Sequence, residues 1–356
     1  MTEAKAEMKK LLQAVAEKNA SDLHLVPGHP PTLRIHGNLT PIEKNPLSSE
    51  KTKDLIFSLL NESQQKKFEE EKELDIPFEI KGVARFRVNI HYAQGGVCAS
   101  LRLVPPTIPT LDELRLPKIV EEFSKEPRGL VLVTGPTGSG KTTTQACMLD
   151  VINHNFAKHI ITIEDPIEYT HKPIKSIIEQ REVGNDTLSF SEALKRVLRQ
   201  DPDVILIGEM RDLETIRTAI TAAETGHLVI STLHTNDSAQ SIDRIIDVFP
   251  PHQQNQVRMQ LSLVLMGIVS QQLIPRRDNN GLILAVEILK ANSGIRNLIR
   301  KSQTHEINSM IEIGAKYGMQ SMDSSIKKLY NQKLIALEEA LGHAIDPEQL
   351  EKTIEL

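Results

Sequence analysis

Near the start of the chain, apolar residues fall at Met8, Leu11, Leu12 and Val15 with charges between them. This spacing predicts a helix that stops at Asn19-Ala20-Ser21-Asp22. From there the period changes to two. Leu23-His24-Leu25-Val26 and Leu33-Arg34-Ile35-His36, punctuated by Pro27-Gly28-His29-Pro30 and Gly37-Asn38, predict short antiparallel strands. Ser48-Ser49 is placed to cap a helix through Leu55, Ile56, Leu59 and Leu60, and the charged stretch 62–72 predicts a second helix with a solvated face. Alternation returns at 74–80, 84–91 and 97–104, the last two joined across Gln94-Gly95-Gly96. Phe86, Val88 and Ile90 then share one face, and Arg85, Arg87 and Asn89 the other. Counted through the turn, Arg102 lies on the face of Arg87, directly opposite it or one step along depending on which two residues form the loop. Two arginines so placed serve either as a solvated pair or as a grip on a phosphate.

Pro105-Pro106-Thr107-Ile108-Pro109 reads as a stiff linker, after which strand and helix patterns alternate. Apolar runs at 130–134, 159–163, 204–207 and 228–232, each followed by a helix pattern, predict a parallel α/β core. From Gln253 onward the chain reads as mostly helical, with no internal repeat. The organisation expected is an α+β domain over 1–104, a linker over 105–117 and an α/β domain over 118–356. A length of 356 residues with 39% hydrophobic content suffices for two cored domains.

Net charge is −5 and aromatic residues make up 3%, so nothing global favours nucleic acid or an anionic membrane. The first residues mix acids and lysines without an apolar core, and 261–269 is too short to span a bilayer, so a cytoplasmic protein without direct membrane insertion is expected. The two cysteines, Cys98 and Cys147, lie far apart with no CxxC, which predicts reduced thiols.

The chemistry centres on Gly135-Pro136-Thr137-Gly138-Ser139-Gly140-Lys141-Thr142-Thr143, preceded by the strand pattern 129–134 and followed by a helix pattern. Strand, GxxxxGK(S/T) loop and helix in that order cradle phosphates: glycines curl the backbone, helix N–H groups face the anion, Lys141 reaches the outer phosphates, and Thr142 ligates Mg²⁺. Glu164 emerges after Ile160-Ile161-Thr162-Ile163, and Glu209 after Val204-Ile205-Leu206-Ile207-Gly208. Carboxylates at the ends of buried parallel strands stand where ligands bind, suited to Mg²⁺ or to polarising an attacking water. His227 and His234 bracket the strand pattern 228–233, which puts His234 near the site end, either as a structural hydrogen-bonder or as a sensor of the γ-phosphate or of a neighbouring subunit.

These motifs, in this order, resemble the secretion-ATPase superfamily of type II secretion and type IV pili, most closely its pilus-retraction, twitching-motility branch. Residues 135–144 resemble its Walker A, ITIEDPIEY (161–169) its Asp box, LRQDPDVILIGEMRD (198–212) its Walker B and TAAETGHLVISTLHTN (221–236) its His box. ASDLHL (20–25), GVARFRVN (82–89) and GMQSMDSSI (318–326) extend the likeness over nearly the whole chain. The resemblance implies a RecA-like P-loop NTPase C-terminal domain of α/β class, joined to an α+β, PAS-like N-terminal domain. It further implies a homohexameric ring that hydrolyses ATP with Mg²⁺ at the domain junction. Arg87 and Arg102 then correspond to arginines that reach the phosphates, Glu164 to the residue that positions the attacking water, Glu209 to the Walker B acid, and His227 and His234 to the His box, His227 as a nucleotide contact and His234 as a catalytic residue.

The expected partners are an inner-membrane pilus platform protein, to which the ring is recruited from the cytoplasm, and a paralogous retraction ATPase. The tetracysteine zinc insertion usual in the extension and type II secretion branches is missing from the sequence. A retraction-specific motif, AIRxLIRE, is matched at Gly294-Ile295-Arg296-Asn297-Leu298-Ile299-Arg300-Lys301, departing at Gly294 and Lys301. Read without the resemblance, that segment is an amphipathic helix with two exposed arginines. Energised export and a nucleotide-gated ring with little turnover are the competing functions.

Overall fold

The computed structural model describes residues 3–354 apart from Asn19, His36, Lys81, Gly82, Pro105, Pro106 and Asn279. The expected helix stop at Asn19, the strand end at His36 and the first two linker prolines thus lie outside the described residues. The chain forms two compact units, Met1–Thr107 and Ile108–Leu356.

The first unit contains α1 (Glu3–Glu17), β1 (Asp22–Leu25), β2 (Thr32–Ile35), β3 (Asn38–Pro41), α2 (Ser49–Phe57), α3 (Glu62–Glu71), β4 (Glu73–Ile80), β5 (Ala84–Ala93) and β6 (Gly96–Val104). Met8, Leu11, Leu12 and Val15 are the buried stripe of α1. Ser48 caps α2 by accepting from the Lys51 N–H, and Asn61 closes a reciprocal capping box with Gln64 on α3. The strands form one antiparallel sheet in the order β3-β2-β1-β6-β5-β4. Ala93 pairs with Gly96, leaving Gln94 and Gly95 as a two-residue turn, both with positive φ. Such a turn matches the strand twist and fixes the register, so Arg87 and Arg102 are directly opposite each other.

The second unit continues with α4 (Lys118–Lys125), β7 (Gly129–Thr134), α5 (Lys141–Asn155), β8 (His159–Glu164), β9 (Ile177–Glu182), α6 (Phe190–Val197), β10 (Val204–Ile207), α7 (Leu213–Glu224), β11 (Leu228–Leu233), α8 (Ser238–Asp247) and α9 (Pro251–Val264). It ends with β12 (Leu265–Pro275), β13 (Leu282–Lys290), α10 (Ser293–Arg300), α11 (Ile307–Ile313), α12 (Met322–Asn331), α13 (Leu337–His343) and α14 (Pro347–Ile354). Its sheet runs β13-β12-β7-β11-β10-β8-β9, parallel except for β13. Leu130, Leu132, Ile161, Ile163, Ile205 and Ile207 feed one core, while Val131, Val133, Ile160, Leu206 and Ile230 feed another. Helices cover both faces, which is why these strands read as unbroken apolar runs.

The tail from Gln253 is mostly helical as expected, but it also holds two strands that were not anticipated, β12 and β13, which follow α9. A strand buried on both faces carries no period-two signal, and its length here overlaps that of a helix. Gly267 in β12 is required by close packing, since a Cβ there would meet the Phe123 ring at 2.2 Å. The edge strand β9, Ile-Ile-Glu-Gln-Arg-Glu, was also not anticipated; half its residues are charged. Residues 108–117 pack with the second unit: Glu113 accepts from the Thr110 N–H and hydroxyl, and Leu116 is buried.

Candidate nucleotide site

Because β7, β8, β10 and β11 are parallel and in register, their C-terminal ends share one edge of the sheet. Gly135 follows β7 there, Glu164 ends β8, Glu209 follows β10 after one residue, and His234 follows β11. The sequence places these groups hundreds of atoms apart along the chain; strand pairing brings them together.

The loop itself is shaped by glycine. Gly135, Gly138 and Gly140 have φ of 141°, 80° and 85°, a region that L side chains rarely occupy. At Gly135 a Cβ would also lie 2.4 Å from the Gln271 carbonyl oxygen and 2.6 Å from Ser139 Oγ. Gly140 caps α5 without a side-chain hydrogen bond, so the first-turn N–H groups of Lys141, Thr142 and Thr143 face the loop. Lys141 is 9% exposed, and its Nζ donates to the carbonyls of Gly135 at 2.8 Å and Pro136 at 2.9 Å. Burial holds its pKa below the ordinary lysine value, against the opposing pull of the Glu209 and Glu168 carboxylates. Thr143 Oγ1 hydrogen-bonds the Tyr169 hydroxyl at 3.0 Å, tying the helix to the Asp-box loop. Pro136 and Thr137 are exposed, whereas Ser139 is buried with no partner for its Oγ among the described residues.

Glu164 is buried and accepts from Thr162 Oγ1 at 2.6 Å and Gln180 Nε2 at 3.2 Å. Burial pushes its carboxyl up to about 7, although those two hydrogen bonds work in the other direction. Gln180 is itself fixed, donating to the Tyr169 carbonyl and accepting from the His171 N–H. Glu209 bridges two side chains, with Arg211 Nε at 2.6 Å and His234 Nε2 at 3.3 Å. Thr232 Oγ1 donates to the Gly208 carbonyl at 2.6 Å, which links β11 to the turn that presents Glu209.

The arrangement suits a triphosphate and a hard cation. Loop glycines and outward N–H groups match an anion, and the Thr142 hydroxyl with the Glu209 carboxylate supplies oxygen donors. Among the described residues no group of three or more His, Cys, Asp and Glu could hold a metal, so Mg²⁺ would rely on the phosphates and water for its other ligands.

Two expectations fare differently. His227 is not brought to this edge: it precedes β11, so about seven residues of extended chain, roughly 23 Å, separate it from His234. Its Nδ1 hydrogen-bonds the Ala222 carbonyl at 2.9 Å, and its own carbonyl accepts from Gly129, a role at the opposite rim that corrects the nucleotide-contact expectation. Arg87 and Arg102 lie in the first unit, where Arg102 Nε donates to the buried Asp22 at 2.8 Å and Arg87 lies 3.9 Å from Asp75. Sequence reading missed Gln180, Arg211 and Tyr169. Gln180 was hidden by the unrecognised β9, but Arg211, two residues after the Walker B acid, was there to be weighed. Of the two arginines of α10 only Arg300 is exposed. Arg296 turns inward, its guanidinium donating to the Ala291, Ser262 and Leu263 carbonyls at 3.0, 2.6 and 2.5 Å, so the view of two exposed arginines is also corrected.

Comparison with known proteins identifies the family. The family described as Type II/IV secretion system protein matches residues 3–333. The type IV pilus retraction ATPase PilT of Pseudomonas aeruginosa is 48% identical over 338 residues, 95% of this chain and 98% of that one. The type IV pilus ATPase PilU of the same organism is 43% identical over 350 residues, 98% of this chain and 92% of its own. A crystal structure of the pilus retraction motor PilT with bound ADP superposes with a TM-score of 0.91 at 48% identity, covering 96% of this chain and 98% of that one. The chain belongs to the Type II/IV secretion system protein family, and within it stands among the pilus-retraction ATPases.

Proposed function

We propose that the protein is a motor that hydrolyses ATP with Mg²⁺ at this strand edge to drive retraction of a type IV pilus and twitching motility. The observation that carries the reading is the convergence of the Gly135–Thr143 loop, Glu164 and Glu209 on one edge of the sheet. Near-full-length similarity to a retraction ATPase supports it.

In this reading the loop N–H groups and Lys141 hold the phosphates, Lys141 exchanging its bonds to loop carbonyls for bonds to phosphate oxygens. Thr142 and Glu209 would hold Mg²⁺, which would supply positive charge to the outer phosphates. Glu164, with a carboxyl near neutrality, orients and deprotonates the attacking water. Arg87 and Arg102 supply further positive charge, and His234, resting on Glu209, registers what happens at that carboxylate. Six copies form a ring, and hydrolysis moves one unit of each chain against the other. That motion acts on the cytoplasmic part of an inner-membrane platform protein that recruits the ring, and a PilU-like paralogue works beside it. Among the described residues no helix is long and apolar enough to cross a membrane.

The test is phosphate release by the purified protein. Glu209→Gln should bind ATP but lose turnover; undiminished hydrolysis would remove Glu209 from the mechanism. In the source strain, deletion should leave abundant surface pili and no twitching, whereas lost secretion with intact motility would favour export.

A further inference from the structure

Beneath the phosphate loop runs a buried polar chain that the roles above leave unused. Thr134, Ser270 and Glu287 are direct cross-strand neighbours on β7, β12 and β13. Thr134 Oγ1 donates to Ser270 Oγ at 3.0 Å, and Ser270 stands directly opposite Glu287 in the strand ladder, where its hydroxyl favours the ionised carboxylate. The same carboxylate accepts the N–H and the hydroxyl of Ser238, the first residue of α8, at 2.8 and 2.6 Å. Thr134, Ser270 and Ser238 have no exposed surface, and Glu287 is 2% exposed. A carboxylate in so dry a position is kept only where donors surround it, and here a helix N-terminus supplies two of them.

The anchor constrains the segment between β11 and α8. Leu233 ends β11, and Ser238 is held to β13, with β7 and β12 lying between those strands. Three strand spacings amount to about 14 Å, whereas five residue steps span at most about 17 Å. The strap His234–Asp237 therefore runs from the end of β11 toward β12 and β13, past the end of β7, where Gly135 begins, with the Glu287 side chain covering the last part of the gap. Its far end is stiffened further: Asp237 caps α8 through the Gln240 N–H at 2.7 Å, and Thr235 Oγ1 meets Ser241 Oγ at 2.6 Å.

We propose that Glu287 is a positioning residue for hydrolysis: by holding Ser238 it sets the strap over Gly135 and keeps His234 against Glu209. The inference rests on the ATPase reading above. Glu287 touches no phosphate, and it acts by fixing the loop that carries His234 while being tied, through Ser270, to the residue before the phosphate loop.

The experiment is a double-mutant cycle on turnover by the full chain with Mg²⁺ and ATP. Glu287→Ala should lower kcat about tenfold with KM for ATP changed by less than about twofold, because a displaced catalytic group costs rate more than substrate binding. In a His234→Ala background the same substitution should change kcat by less than about twofold, since the two act through one element. If Glu287→Ala does not fold, Ser238→Ala, which deletes one hydroxyl, carries the same cycle with an expected loss of about threefold. Folded variants with wild-type kcat, or the full loss recurring without His234, would overturn the inference alone. A wild-type chain that never turns over ATP would overturn the proposed function and this inference with it.

Discussion

Replacing Glu164 by glutamine should cost the protein its activity and make it more stable, by an amount that depends on pH. An ordinary glutamate carboxyl titrates near 4.5, whereas burial pushes that of Glu164 up to about 7. The folded state thus prefers the proton, so ionisation opposes folding. The penalty is absent below the unfolded value, grows between pH 4.5 and about 7, and is constant above. Its full size is about 3 kcal/mol, at about 1.4 kcal/mol for each tenfold; at pH 5 less than about 1 kcal/mol has accrued. A glutamine removes the charge, and its carbonyl oxygen still accepts from Thr162 and Gln180. It loses an acceptor toward the Glu168 N–H, which returns about 1 kcal/mol. Glu164→Gln should therefore stabilise the nucleotide-free protein by about 2 kcal/mol at pH 8, a rise in melting temperature of about 4–8 °C, and by about nothing at pH 5. Denaturant melts at the two pH values measure this. Equal changes at both, or a loss of stability at pH 8, would show that the buried charge is not what Glu164 costs the fold.

Turnover by the unsubstituted enzyme should rise with pH through about 7, because only the ionised Glu164 accepts a proton from water; a rate flat from about pH 6 to 8 would remove it as the base. Gly135→Ala should abolish ATP binding and cost at least about 2 kcal/mol, since it combines a φ of 141° with a 2.4 Å approach to the Gln271 carbonyl; a thermal melt and a nucleotide titration check both. Arg296→Ala should destabilise the protein by about 2 kcal/mol by freeing carbonyls at the end of α9, whereas Arg300→Ala should leave stability unchanged. Melts of the two variants that coincide would contradict the inward placement of Arg296.

The candidate site was legible to different depths. The phosphate loop could be read almost completely, because its glycines, Lys141 and Thr142 act over nine consecutive residues and their chemistry is local. Glu164 and Glu209 were found because each follows a buried strand, and parallel strands put their ends at one edge. His227 was misjudged because the likeness to the His box carried both histidines to the site together, whereas a six-residue strand sets them at opposite rims. Arg296 was misjudged for a related reason: the helical pattern says which face turns inward, but not that the end of α9 lies there with carbonyls to satisfy.

By itself the sequence determined the elements whose causes lie within a few residues: the stripe of α1, the Ser48 cap, a hairpin turn within Gln94-Gly95-Gly96, and the curl from Gly135 to Gly140, whereas the pairing of Ala93 with Gly96 that sets Arg87 against Arg102 came from the structure. Tertiary structure alone decided that β12 and β13 are strands, that Gln180 and Thr162 hold Glu164, that Arg211 and His234 share Glu209, and that Glu287 reaches Ser238 across the sheet. Hydrogen bonds in a turn or a helix cap join neighbours in the chain, so composition and spacing encode them. Those that assemble this site join residues on separate strands, and only the order of strands in the sheet brings them within 3 Å or so of one another.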